Sequence, residues 1–238
     1  MNLDYIPDAA SASFEKDHWW VRSRFGLLDR ALGLLDPKAS LAILEVGCGT
    51  GINLDYLETR CGPRLASLIG VDPQANPGGQ GRRRIQRELP SGELFDLILL
   101  MDVLEHVADP VALLSQLRAQ LKPSGHLLVT VPAFSWLWTS FDQLAHHRKR
   151  YAFDELAAEL RAAHCLIEEN FFFFGMLFPF FVMQRLTLKW WPRGDARVFK
   201  PVPHWLNRLL YAMTRLELAT WMPYNKYAGS TIVAIARI

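Results

Sequence analysis

The stretch that most constrains this chain runs from Leu41 to Leu57. Leu41 to Val46 is a short apolar run and reads as a fully buried strand. It leads straight into glycines at alternate positions, Gly47, Gly49 and Gly51, and Ile52 to Leu57 then resumes a helical pattern. Strand, glycine turn and helix is how an open α/β sheet builds a nucleotide site. Glycine has no Cβ, so the backbone can turn sharply and approach a ligand closely. The spacing excludes two readings. A dinucleotide fingerprint needs a third glycine where Ile52 stands, and a P-loop needs Gly-Lys-Ser/Thr at its end, which does not follow.

The chain has 238 residues, half of them hydrophobic, which suits one large domain or a domain with an insertion. Net charge is +2 with both signs interspersed, so composition does not call for a nucleic-acid partner. Cys48, Cys61 and Cys165 share no metal or redox spacing and read as reduced thiols of a cytosolic protein. Met1 to Ser13 carries Asp4 and Asp8 and no apolar core, so no signal peptide is expected.

Phe14 to Leu35 shows one apolar helical face, Val21, Phe25, Leu28, Leu32 and Leu35, ended by Asp36-Pro37. Leu65 to Val71 is a second strand, closed by Asp72-Pro73. A carboxylate at that strand end can accept both hydroxyls of a ribose; the alternative is a turn aspartate before proline. Phe95 to Met101 is a further strand, delivering Asp102-Val103-Leu104-Glu105-His106 to the carboxyl edge of the sheet. Asp109-Pro110 starts a helix whose buried face is Val111, Leu114, Leu117 and Leu121, and His126 to Val131 is the next strand.

The motif Glu45-x-Gly47-x-Gly49-x-Gly51 resembles motif I of the class I S-adenosylmethionine-dependent methyltransferases. The stretches FDLILLMDVLEHVADP and LKPSGHLLVTVP resemble that family's later motifs, so the span 41 to 132 matches in order and spacing. The resemblance implies a Rossmann-like α/β fold with a seven-stranded sheet, helices on both faces, and the last strand antiparallel. It implies S-adenosylmethionine as cofactor and methyl transfer as the reaction. The cofactor-binding positions it points to are Glu45, Gly47, Cys48, Gly49, Gly51, Asp72, Pro73, Met101 and Asp102. Aromatic residues and arginine before motif I also resemble small-molecule members, which adds Trp20 and Arg24 as lid residues, with Arg22 or Arg24 near the cofactor carboxylate. Packing of an amphipathic helix is the plainer reading of that segment.

The chain departs from the family in two places. Residues 73 to 84 hold two prolines and three glycines where a crossover helix is usual, and the family's acidic residue near the adenine is missing at Ile85 to Glu88. Arg82, Arg83 and Arg84 read as a solvated strand edge. Glu105-His106 occurs in family members with quite different acceptors, so a brace for the cofactor loop is preferred over acid/base work.

After Pro132 come Phe134, Trp136, Leu137, Trp138 and Phe141, then Asp142 and the run His146-His147-Arg148-Lys149-Arg150-Tyr151. The pattern W-x-x-x-D-x-x-x-x-H-R-x-R-Y, from Trp138 to Tyr151, resembles a bacterial subgroup of mostly unassigned substrate, in which this loop overhangs the methyl donor. Phe134, Trp136, Trp138, Arg148 and Arg150 are the candidate acceptor-binding residues, the arginines suiting an anionic group. His146, His147 and Tyr151 are the candidate catalytic residues; a charged loop capping the next helix explains the same residues equally well. Adjacent histidines point apart, so no metal is expected.

Phe153, Ala157, Leu160 and His164 mark a helix, Cys165 to Phe174 a sixth strand, Pro203 to Trp221 a helix and Tyr227 to Arg237 the last strand. The domain therefore divides into an N-terminal lid helix (1–40), a core (41–174 and 223–238) and a mostly helical insertion (175–222). The apolar stretch from Phe171 to Met183 is too short to span a bilayer, and Lys189-Trp190-Trp191-Pro192-Arg193 follows it. A helix that closes the pocket or a subunit interface is preferred, with contact at a membrane surface through 171–193 as the alternative. The expected protein is a cytoplasmic enzyme, or one peripheral to the inner face of the membrane, methylating a small, apolar or lipid-like acceptor with an anionic group. A nucleoside-binding protein without catalysis and a dinucleotide oxidoreductase are the rival readings. Acceptor identity, the atom methylated and the oligomeric state stay open.

Overall fold

A computed structural model of the chain describes residues 16–79, 81–190 and 202–238. The strands are β1 (Leu41–Val46), β2 (Leu65–Val71), β3 (Arg83–Gln86), β4 (Phe95–Met101), β5 (Leu121–Pro132), β6 (Leu166–Phe173) and β7 (Thr231–Arg237). The helices used below are α1 (Trp19–Gly33), α2 (Ile52–Cys61), α3 (Pro110–Arg118), α4 (Ser140–Leu144), α5 (Phe153–Ala162), α6 (Phe178–Trp190) and α7 (His204–Thr220). They build one seven-stranded sheet in the order β3-β2-β1-β4-β5-β7-β6. Strands β1 to β5 pair in parallel, and β7 runs antiparallel to both β5 and β6. The expected fold class and the antiparallel last strand are what is seen.

Alternation along the strands explains the two cores. Successive side chains of a strand point to opposite faces. Leu41, Ile43, Leu97, Leu99, Phe171 and Phe173 pack with α1 and α2 on one face. Leu44, Ile98, Leu100, Phe172 and Ile232 pack with α3 and α5 on the other. Both faces are covered, so the central strands are apolar throughout, as a parallel sheet requires.

Local chemistry sets the boundaries. Asp109 caps α3 by accepting from the Ala112 N–H at 3.0 Å, with proline at the first helical position. Thr139 and Asp142 form a capping box at α4. One boundary differs from the sequence reading. Leu121 opens β5 rather than closing α3, because its partner is Phe95 across the sheet. Between β2 and β3, where two prolines and three glycines argue against the usual crossover helix, the described residues form turns and an isolated bridge from Gly78 to Ile85.

The insertion is fastened to the N-terminal helix. The Ser23 and Thr214 hydroxyls lie 2.5 Å apart, the Trp19 N–H donates to Asn207 Oδ1 at 2.7 Å, and the Arg22 guanidinium stands 4.2 Å over the Tyr211 ring. At Gly26 the helices touch so closely that a Cβ would lie 2.4 Å from Leu218 Cδ1. The buried Glu217 carboxylate accepts from the N–H groups of Gly175 at 2.7 Å and Met176 at 3.2 Å, which ties α7 to the end of β6. No helix among the described residues is long and apolar enough to cross a membrane.

Candidate functional site

The strand order reverses between β1 and β4, and ligands of open α/β sheets bind at the carboxyl edge beside such a point. Gly47, Gly49 and Gly51 have φ of +76°, +50° and +80°, a region that disfavours other residues. A Cβ on Gly47 would lie 2.6 Å from Val103 Cγ2, whereas a Cβ on Gly49 would meet nothing within 4 Å. The turn is thus pressed against the β4 loop at one glycine and faces open space at the next.

Asp72 sits against that turn. Its Oδ2 accepts from the Gly49 N–H at 3.0 Å and its Oδ1 from the Gln74 N–H at 2.9 Å. It is therefore a turn residue and a brace for the glycine turn, with lone pairs left over on both oxygens. Pro73 follows at the exposed rim. Glu45 is buried; Asn53 Nδ2 donates to its Oε1 at 2.6 Å, and Oε2 has no partner. Burial raises its carboxyl to about 7, against the opposing hydrogen bond from Asn53 and the charge of Arg24. Cys48 is buried, its N–H is given to the Val71 carbonyl at 3.2 Å, and burial lifts its thiol to about 12. Its side chain is packing, and its contribution to the turn is backbone.

At the end of β4, Met101 is buried, its Sδ lying 3.6 Å from Asn53 Nδ2. Asp102 adopts φ of +61°, held by its N–H to the Thr130 carbonyl at 3.0 Å and by the Thr130 hydroxyl donating to its Oδ1 at 3.0 Å. Arg24 reaches in from α1 to pair with the other Asp102 oxygen, and its guanidinium lies 4.3 Å over the Trp20 ring. The fold thus brings Trp20 and Arg24 to Asp102. Arg22 turns away onto Tyr211.

On the other side of the edge, Phe134 stacks on Phe172 at 5.2 Å and meets Phe178 of the insertion at 5.3 Å and Trp136 at 5.6 Å. Trp136 is exposed, and Trp138 is half-buried. The basic run is divided by the fold. His146 has φ of +56° and an exposed ring, and its carbonyl lies 3.3 Å from His106 Nδ1. Arg148 is exposed and tied to the β4 loop, its N–H donating to the Glu105 carbonyl at 2.7 Å and its Nε to the His106 carbonyl at 3.1 Å.

Two expectations fail here. Arg150 does not face an acceptor: its side chain is 4% exposed, donating to Asp142 Oδ1 at 2.7 Å and to the Ala133 carbonyl at 3.0 Å. Tyr151 is no proton-transfer candidate. It bridges to Ala133 beside β5 and is wholly buried, and burial together with the charge of Glu159 pushes its phenol far above the ordinary range. A buried cation needs its counter-ion, and a core phenol is more costly to ionise than to keep neutral.

His147 also turns inward. Its Nδ1 lies 3.0 Å from Asp142 Oδ1 and its Nε2 3.9 Å from Glu105 Oε1. The His106 ring packs edge-on against it at 4.8 Å. Glu105 is fully buried with neither oxygen hydrogen-bonded; burial, then the nearby charge of Asp102, pushes its carboxyl well above the usual range. The sequence reading set metal aside because His146 and His147 are neighbours. The fold instead groups His147 with Glu105 and His106, one donor atom of each within 4.8 Å of the others. Sequence reasoning also missed Asn53, Asp142 as a shared carboxylate, and Arg185. The Thr139-x-x-Asp142 spacing suits no more than a capping box, which the structure shows at α4, and nothing near Arg185 in sequence marks it.

The glycine turn, the strand-end carboxylates and the switch point of the sheet are those of an α/β domain that binds a nucleoside at the carboxyl edge. Residues 20–194, well over half of the chain, match the model of a methyltransferase domain. The chain belongs to that methyltransferase family, whose cofactor is S-adenosylmethionine. It is similar to the ubiquinone biosynthesis O-methyltransferase of Bradyrhizobium diazoefficiens, 32% identical over 154 residues, covering 59% of this chain and 53% of that protein. The protein of the same description from Rhodopseudomonas palustris strain TIE-1 is 29% identical over 149 residues, covering 57% and 52%. The match spans about half the length of these relatives. Among solved structures, an S-adenosylmethionine-dependent methyltransferase from Mesorhizobium loti superposes with a TM-score of 0.55 at 15% identity, over 90% of this chain and 98% of that one. One from Archaeoglobus fulgidus gives 0.54 at 15% identity, over 97% and 100%; both likenesses concern the fold.

Proposed function

We propose that this chain transfers the methyl group of S-adenosylmethionine to a hydroxyl of an apolar, ring-bearing or lipid-like acceptor. The observation that carries the reading is the open space before Gly49 at the carboxyl edge of the sheet, with Asp72 bonded to the Gly49 N–H, the buried Glu45 at the end of β1, and Asp102 paired with Arg24 at the end of β4. The residues fit the cofactor. The unpartnered Glu45 Oε2 suits its ammonium group, Arg24 its carboxylate, and the remaining Asp72 lone pairs its ribose. Gly47, Gly49 and Gly51 let the backbone come close, with Cys48, Pro73, Met101 and Trp20 as the surrounding wall. When bound, the cofactor supplies an electrophilic methyl group and departs as a neutral thioether. The work left to the protein is mainly alignment and exclusion of water. His147, with its Nδ1 engaged by Asp142, has Nε2 available to take the hydroxyl proton as the oxygen attacks.

The aromatic group Phe134, Trp136 and Phe178 supplies flat apolar contact for the acceptor body, with Trp138 beside it in sequence. Similarity to ubiquinone biosynthesis O-methyltransferases supports a hydroxyl on such a body. Of the two arginines expected to hold an anionic group, Arg148 retains that role here, since Arg150 is committed to Asp142. The membrane-surface contact expected of 171–193 belongs to the same proposal. Phe180, Met183 and Leu186 of α6 and Trp205, Leu209 and Leu216 of α7 are exposed, and Arg208 and Arg215 are exposed beside the α7 residues. Residues 191–193 lie outside the described residues.

Labelled S-adenosylmethionine incubated with a panel of catechols, phenols, aromatic acids and lipid extracts tests the reading, beside calorimetry with S-adenosylhomocysteine and NAD. Transfer to a hydroxyl of an apolar acceptor is the expected result. Tight S-adenosylhomocysteine binding with no transfer to any acceptor would favour a nucleoside-binding protein, and binding of NAD instead would favour an oxidoreductase.

A further inference from the structure

One buried carboxylate joins three parts of the molecule that are far apart in sequence. Asp142 Oδ1 meets His147 Nδ1 at 3.0 Å and accepts from Arg150 Nε at 2.7 Å. Its Oδ2 accepts from the Thr139 N–H at 2.9 Å, the Thr139 hydroxyl at 3.3 Å and an Arg185 amino group at 3.0 Å. A carboxylate has about four lone-pair directions, and here five donors converge on them. The group cannot rotate without breaking several bonds at once. Burial alone would raise its carboxyl, but the hydrogen bond from His147 and the charges of Arg150 and Arg185 outweigh it and hold the group well below the usual range.

An ionised carboxylate only accepts hydrogen bonds, so the His147 nitrogen facing it carries the proton. The ring is held on its other sides by His106 at 4.8 Å and Phe141 at 6.5 Å. In the neutral ring Nε2 is then the lone-pair nitrogen, and it lies on the side of Glu105. Asp142 therefore decides both the tautomer and the direction of the imidazole.

Arg185 belongs to the insertion. It lies 18% exposed on α6, also donates to the Thr139 hydroxyl and stands 5.2 Å over the Phe141 ring. Phe178, seven positions earlier on the same helix, meets Phe134 at 5.3 Å and Trp136 at 6.2 Å. Positions seven apart share a helical face. Seating α6 on the aromatic wall and seating Arg185 on Asp142 are thus one docking event.

We infer that Asp142 is the positioning residue of His147, and that Arg185 makes this positioning depend on the docking of the insertion helix over the acceptor side. The inference rests on His147 being the proton acceptor proposed above and adds what orients it. An acceptor body packed against the joint surface of Phe134, Trp136 and Phe178 favours the seated helix. The base is then fully oriented when the acceptor is present.

The test uses the full chain, labelled with 15N-histidine and loaded with S-adenosylhomocysteine, in long-range 1H–15N spectra. Native His147 should show one neutral tautomer, protonated at Nδ1. Asp142→Asn should give a mixture, because an amide can present either a donor or an acceptor; a single unchanged tautomer would overturn the role of Asp142. Because Asp142 also caps α4, Arg185→Met is the second variant. It should broaden or split the His147 signals and lower kcat at least tenfold with the phenol or catechol that the native chain methylates. Affinity for S-adenosylhomocysteine should change less than twofold, and Arg185→Lys should restore most of kcat. Native spectra and kcat in Arg185→Met would overturn the coupling to the insertion. Absence of methyl transfer by the native chain would count against the proposed reaction, while the spectra still decide whether Asp142 and Arg185 orient His147.

Discussion

Arg148 and Arg150 are two residues apart and look alike in sequence, and the structure assigns them opposite consequences. Arg150→Met keeps most of the side-chain volume and removes the guanidinium. The pair with Asp142 is buried on both sides, at 4% and 0% exposure. Removing one partner of such a pair costs about 3–5 kcal/mol, because the other charge is left buried. Here His147, Thr139 and Arg185 still hold Asp142, which pulls the figure to the lower end. The Ala133 carbonyl also loses a donor, worth about 1 kcal/mol. A total near 4 kcal/mol corresponds to a fall in Tm of about 8–16 °C for a chain of this size. Arg148→Met removes an exposed side chain, and Tm should stay within about 2 °C. Its effect should appear in the KM of the acceptor. Thermal unfolding by circular dichroism, with methyl-transfer kinetics on both variants, decides the matter. Arg150→Met melting within 2 °C of the native chain while raising the acceptor KM would refute the reasoning and return Arg150 to the substrate side.

Asp72→Ala should lower affinity for S-adenosylhomocysteine at least tenfold, since hydrogen bonds to a charged group are worth about 1.5–3 kcal/mol; a calorimetric change below twofold would leave Asp72 a turn residue only. Gly49→Val should remove binding while the sheet stays folded, because φ of +50° strains a branched residue and its side chain enters the space before the turn; undiminished affinity would displace the site. The buried Glu45, raised by burial from the ordinary 4.5 to about 7, binds its proton more tightly folded than unfolded. The chain without ligand is therefore most stable, as far as this group is concerned, below about pH 4.5, and loses stability as pH rises from there to about 7, on the order of 3 kcal/mol. Denaturant titrations of Glu45→Gln should lack that decline, and an identical pH slope in both proteins would contradict the assignment.

The order of strands, the glycine turn and Asp72 were legible in the sequence because local patterns specify them. A buried parallel strand must be apolar along its length, a turn at positive φ favours glycine, and a helix start needs a cap. Those constraints act between residues a few positions apart, so they leave a readable trace at Leu41 to Gly51, at Asp102 and at Asp109-Pro110. The resemblance to methyltransferases rests on the same local traces. The acceptor side left no such trace. Arg148 and Arg150, and His146 and His147, are interchangeable by composition and spacing. What separates them is that one member of each pair turns toward Asp142 and the other toward solvent. Glu105 gains its lifted carboxyl from burial, and Asp142 its low one from donors brought in from positions 139, 147, 150 and 185. Burial and electrostatic environment are sums over neighbours in space. Only the folding of the 134–151 loop against the β4 edge, and of α6 over both, decides who those neighbours are.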